Sequence, residues 1–141
     1  GPAELIDAAM GVKQYLTYVN GAPFQPAVAV GLALGDDYFA EQRRTLAARR
    51  DRLSAGLAEA GFTVSPSRGS YFVVADASPL GVSDANRYAR ELTIDRGVAA
   101  IPLSAFDPRS TDARIRSSLR FAFCRSDAQI DEAVRRLTVG R

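Results

Sequence analysis

Apolar positions recur at helical spacing from the start of the chain. Leu5, Ile6, Ala9, Val12 and Leu16 mark one stripe and Pro2 suits a first helical position, so a helix is predicted over about 3–18. Asn20, Gly21 and two prolines in VNGAPFQP then predict a loop. A second helix is predicted from near Pro26 through AVAVGLAL, pausing at Gly35-Asp36-Asp37. Beyond it lies a long amphipathic helix with Phe39, Leu46, Leu53 and Leu57 on one side. Arg43, Arg44, Arg49, Arg50 and Arg52 crowd the rest, until Gly61 stops it.

From residue 62 the period shortens. FTVS reads as a short strand, and SRGSYFVVADAS as a turn followed by a stronger one. Ser83 is the predicted N-cap of a helix carrying Ala85, Tyr88, Ala89 and Leu92, closed by Gly97. VAAIPLSAF is strand then loop, and Asp107 to Ser117 is a polar segment expected to be mobile. In SLRFAFC, Leu119, Phe121 and Phe123 alternate with Arg120, Ala122 and Cys124, giving one core face. Ser126 and Gln129 form a capping-box pattern for a last helix, with Ile130, Ala133, Val134 and Leu137 inward. Asp127 and Asp131 near its start and Arg135 and Arg136 near its end suit the helix dipole. Helices followed by β, β, α, β, β, α predict an α+β two-layer domain, with helices on one face of a small mixed or antiparallel sheet.

Composition narrows the chemistry. The chain has 141 residues, 47% hydrophobic and 24% charged, as expected of one globular domain. A single cysteine, Cys124, excludes an intrachain disulfide and fits a reducing compartment. The absence of histidine excludes zinc sites built on Cys and His ligands, and His-based triads. A net charge of +2 argues only weakly for nucleic acid or an anionic membrane, and no apolar run is long enough to span one. The chain begins Gly1-Pro2 instead of with methionine, which is compatible with a processed end or with a sequence entered partway.

Arg120 is the leading candidate for chemistry. Its strand face is otherwise small (Ser118, Ala122, Cys124), as suits a face covered by something else. An arginine fork there can bind a carboxylate by two parallel hydrogen bonds, or make a structural salt bridge to a nearby Asp or Glu. GSYFVVAD, residues 69–76, reads as a turn glycine before a core strand. IPLSAF, residues 101–106, reads either as a strand end with a proline stop or as a loop lining a pocket. The arginine-rich helix is interrupted by Glu41, Asp51 and Glu59, which argues for a solvated face over a phosphate-binding one. Lys13, the only lysine, sits on a polar helix face in VKQYL and reads as solvated.

Taken together, the segments resemble the C-terminal part of a fold type I, class I/II pyridoxal-phosphate-dependent aminotransferase. GPAELIDA with KQYLTYVNGAPFQPAVA is similar to the segment just after that family's lysine region, and the arginine-rich helix is similar to its connector. GSYFVVADAS, GVAAIPLSAF and SLRFAFCRSDAQIDEAVRRL resemble, in order and spacing, the small domain of the kynurenine and N-succinyldiaminopimelate aminotransferase subgroup. The resemblance implies three regions: 1–35, the end of the large domain and start of the connector; 36–61, the connector helix; 62–141, the C-terminal small domain. It implies that Arg120 grips the substrate's α-carboxylate, and that Asn20 and Gly21 belong to a loop approaching a partner's active site.

The family's Schiff-base lysine would precede Gly1, and Lys13 does not match it. The expectation is therefore a chain inactive by itself, with pyridoxal 5′-phosphate in the complete enzyme but not bound covalently here. The implied partners are amino-acid and 2-oxo-acid substrates, the rest of the large domain and a second copy, in the cytoplasm, in amino-acid metabolism such as lysine biosynthesis. Neither nucleic acid nor membrane is expected as a partner. The alternative is a stand-alone, non-catalytic binding or oligomerisation module with the same small-domain fold.

Overall fold

The computed structural model describes residues 1–17 and 21–139. Two units divide the chain, Gly1–Ala40 and Glu41–Arg141. The first holds α1 (Ala3–Leu16), a 3₁₀ turn over Ala22–Phe24 and α2 (Gln25–Leu32). The Pro2 carbonyl accepts the first free N–H groups of α1, from Leu5 and Ile6, and Thr17 closes the helix on the Lys13 carbonyl. The predicted helix end at 18 lies outside the described residues. None of this unit's described residues is buried. Leu5, Ile6, Leu16, Val30 and Leu32 of the predicted apolar helices all stand exposed, as does Phe24 of the intervening turn.

Helix α3 (Asp36–Glu59) crosses the boundary between the units. Leu53, Gly56 and Leu57 are buried and Leu46 packs against the core, as the apolar side predicts. Phe39, placed on the same side, is instead 37% exposed and stands edge-on to the Tyr38 ring at 5.5 Å. Gly61 ends the helix with φ 86°, where a side chain would cost about 1–2 kcal/mol. Its N–H and that of Phe62 return to the carbonyls of Ala58 and Leu57, satisfying the last free carbonyls of the helix.

Four strands follow: β1 (Thr63–Val64), β2 (Phe72–Asp76), β3 (Ile101–Pro102) and β4 (Ser118–Ala122). They form an antiparallel sheet in the order β1-β2-β4-β3. The register opposes Val73 to Phe121 and Ala75 to Leu119, and all four are buried. Against this face pack Leu53 and Leu57 of α3, with Ala85, Ala89 and Leu92 of α4 (Ala85–Arg96). Ile130 and Leu137 of α6 (Asp127–Thr138) complete the same core. Phe62 stands edge-on to Phe121 at 5.7 Å and closes one end. The result is a two-layer α+β arrangement with helices over one face of the sheet.

Two local expectations need correction. The N-cap of α4 is Asp84, not Ser83: its carboxylate accepts from the backbone N–H of Asn86 at 2.9 Å and of Arg87 at 3.3 Å. A carboxylate there also gains from the positive end of the helix dipole, which a hydroxyl cannot match. The polar segment 107–117 contains a helical turn, α5 (Ala113–Ser117), capped by Asp112 and ending in buried Ser117. At α6 the capping box is present, with Ser126 Oγ accepting from Gln129 N and Gln129 Oε1 accepting from Ser126 N.

Most of the arginine-rich helix is spent on carboxylates. Arg44 pairs with Glu41, Arg49 with Asp127, Arg50 with Asp51 and Arg52 with Asp131. The second and fourth of these tie α3 to the start of α6. Each exposed pair contributes only about 0–1 kcal/mol, but together they neutralise charge that would otherwise face solvent.

Candidate functional site

The face of the sheet opposite the core carries Phe72, Val74 and Asp76 from β2 and Arg120 and Ala122 from β4, all half-buried. Arg120 stands opposite Val74 on one side and Ile101 on the other. Its strand therefore has a neighbour on each flank, and each flank supplies an aromatic ring. The guanidinium carbon lies 3.9 Å from the centre of the Phe72 ring, on β2. It lies 4.5 Å from the centre of the Phe106 ring, which follows the 3₁₀ turn Leu103–Ala105 after β3. Two rings within cation–π range hold the cation across the strand direction.

Nε of Arg120 is buried without a hydrogen-bond partner, alone in this among the described residues. None of the ion pairs among the described residues involves Arg120. The salt-bridge alternative open at the sequence level is thus not realised among them. A cation partly removed from water, whose terminal nitrogens meet no carboxylate among the described residues, is poised for an anion. A carboxylate would meet it by charge-assisted hydrogen bonds, strengthened by the apolar rings around it.

Beside Arg120 on the same face, Asp76 accepts hydrogen bonds from Ser117 Oγ at 2.7 Å, Ser78 N at 2.8 Å and Ser78 Oγ at 2.7 Å. Burial pushes its carboxyl up, but these bonds and the nearby Arg114 charge outweigh that and hold it below the usual aspartate range. Asp76 is committed to fixing β2 to the end of α5.

Of the sequence motifs, GSYFVVAD and IPLSAF are brought to Arg120, through Phe72 and Phe106. The turn before β2 takes its positive φ at Ser70, 63°, and not at Gly69, and Ser70 Oγ accepts from Phe72 N at 3.1 Å. Sequence reasoning named both segments but not the two rings, whose meeting depends on the strand order. Gly21 precedes the Ala22–Phe24 turn in the first unit, where a Cβ would press on the Phe24 ring. Asn20 lies outside the described residues. Among the described residues no group of acidic, Cys or His side chains could hold a metal ion, and no helix is long and apolar enough to cross a membrane.

The aminotransferase class I and II family matches residues 1–137. The chain belongs to this family. It is 51% identical over 145 residues to "Probable N-succinyldiaminopimelate aminotransferase DapC" of Mycobacterium tuberculosis, covering 99% of this chain and 36% of that protein. It is 30% identical over 149 residues to rat kynurenine–oxoglutarate transaminase 3, covering 94% of this chain and 33% of the relative. The solved N-succinyldiaminopimelate aminotransferase from Mycobacterium tuberculosis superposes with a TM-score of 0.82 at 52% identity, over 99% of this chain and 36% of that one. The chain thus spans about a third of the length of these aminotransferases.

Aminotransferases of class I and II use pyridoxal phosphate. The residues of this chain do not fit the cofactor's covalent site. An aldehyde needs an activated lysine amine, usually desolvated or set beside another cation, whereas Lys13, the only lysine, is exposed on α1.

Proposed function

We propose that this chain is the substrate-gripping C-terminal part of an aminotransferase that moves an amino group from an amino acid to a 2-oxo acid. Residues 1–35 would belong to the end of the large domain and the start of the connector, 36–61 to the connector and 62–141 to the small domain. The observation that carries the reading is the guanidinium of Arg120, stacked between Phe72 and Phe106 with no carboxylate of its own among the described residues. Both substrates of a transamination present an α-carboxylate, and a planar fork fixed on a strand can receive it through two terminal nitrogens. That grip orients Cα and its proton while chemistry is supplied from elsewhere in the complete protein. The similarity to proteins described as N-succinyldiaminopimelate aminotransferases supports a substrate of that class, in lysine biosynthesis.

The isolated chain, on this reading, does not transaminate. The uncovered apolar residues of the first unit supply a second support, since so much exposed apolar surface fits a segment that packs on the rest of a larger protein. A homodimer in the cytoplasm, with Asn20 and Gly21 near the partner's site, completes the proposal. The test is Arg120→Lys in the complete enzyme. An ammonium keeps the charge but loses the fork, so KM for the amino acid should rise about ten- to hundredfold, from charge-assisted hydrogen bonds of roughly 1.5–3 kcal/mol each. Unchanged kinetics would remove Arg120 from this role.

A further inference from the structure

The flanks of Arg120 restrict which anion it can take. Phe72 reaches the guanidinium from β2 and Phe106 from beyond β3, so the rings come from the two opposite sides of β4. Nε is enclosed and unpartnered, which leaves the edge formed by the terminal nitrogens. An anion approaching that edge enters between two rings whose faces carry negative charge density. A carboxylate lies flat in the plane of the fork and keeps both oxygens away from the faces. A sulfonate or phosphonate must place at least one oxygen out of that plane, toward a ring. It then meets both steric contact and repulsion from the π-cloud.

We infer that Phe72 and Phe106 form a flat slot around Arg120 that selects planar carboxylates over tetrahedral oxyanions, an inference that rests on the carboxylate-binding reading of Arg120. Phe106 is the better handle. Phe106 is 61% exposed, so it holds little of the core together, whereas Phe72 is a half-buried strand residue whose own carbonyl accepts from Ser67 Oγ and whose N–H donates to Ser70 Oγ.

The experiment measures, by calorimetry on the complete enzyme, the affinities of 3-phenylpropionate and its sulfonate counterpart, 2-phenylethanesulfonate. The native protein prefers the carboxylate. Phe106→Leu removes one wall and its cation–π contact, so the carboxylate-to-sulfonate ratio falls about three- to tenfold, while Phe106→Tyr keeps it. A ratio unchanged in Phe106→Leu, whether both affinities drop together or neither moves, overturns the slot. Arg120→Lys separates this failure from that of the underlying reading. If that variant binds the carboxylate as tightly as the native enzyme, Arg120 is not the anion site; if it weakens binding while Phe106→Leu leaves the ratio intact, only the slot fails.

Discussion

Gly56 of α3 lies so close to the side chain of Val134 on α6 that a Cβ built on the glycine would collide with both methyl groups of the valine. Helix propensity favours alanine over glycine by about 1 kcal/mol, but overpacking a core costs about 1–3 kcal/mol. The contact wins because Gly56 is buried and α3 and α6 are also tied by Arg49–Asp127 and Arg52–Asp131. Gly56→Ala should therefore lower stability by about 1–2 kcal/mol. Adding Val134→Ala should recover much of the loss. Urea denaturation of the single and double variants checks this; a stabilised Gly56→Ala would show that the helices separate freely.

The Asp76 carboxyl, held below its usual range by Ser117, Ser78 and Arg114 against its burial, makes stability depend on pH. Its folded pKa is depressed, so its contribution is present above the unfolded value and is lost as pH falls through the folded one. Asp76→Asn should cost about 1 kcal/mol at pH 7. The gap to the native protein should close below about pH 4, the unfolded aspartate range. Urea midpoints at pH 7 and pH 3 measure it, and parallel losses in both proteins would contradict the assignment.

Glu132 on α6 accepts from Arg135 at 2.7 Å and from Arg136 at 2.7 Å. The Arg135 hydrogen bond, followed by that of Arg136, pulls its carboxyl down to about 2. NMR titration should find the midpoint there, and Arg135→Gln should move it up toward the usual glutamate range. Because both of these ion pairs are exposed, added salt should also raise it.

The local features were legible and the non-local ones were not. Ser126 and Gln129 sit three residues apart, so their capping box could be read directly from sequence, and β4 announced its core face through Leu119, Phe121 and Phe123. The solitary Arg120 on the other face was equally visible, because alternation needs only neighbours along the chain. Its ring partners come from residues far apart in sequence, and meet it only because β4 lies between β2 and β3. Apolar periodicity along α1 also predicted a buried stripe, but it cannot say what covers that stripe. Within residues 107–117, the few polar residues around Asp112 hid a capped helical turn too short for periodicity to reveal.

Lys13 provides a direct check on the division of labour. Incubating the 141-residue chain with pyridoxal phosphate and then borohydride should leave no stoichiometric, site-specific adduct. Lys13 is exposed on α1 and lacks the burial that activates an amine. A single quantitative adduct at Lys13 would mean that this chain carries its own covalent site.

The most direct test of the central claim is a crystal structure of the complete enzyme with a bound amino-acid analogue. The expected result is an α-carboxylate in the plane of the Arg120 guanidinium, between Phe72 and Phe106, with its oxygens about 2.7–2.9 Å from the terminal nitrogens. A carboxylate held by another cation, with Arg120 turned away or paired to an Asp or Glu, would contradict it.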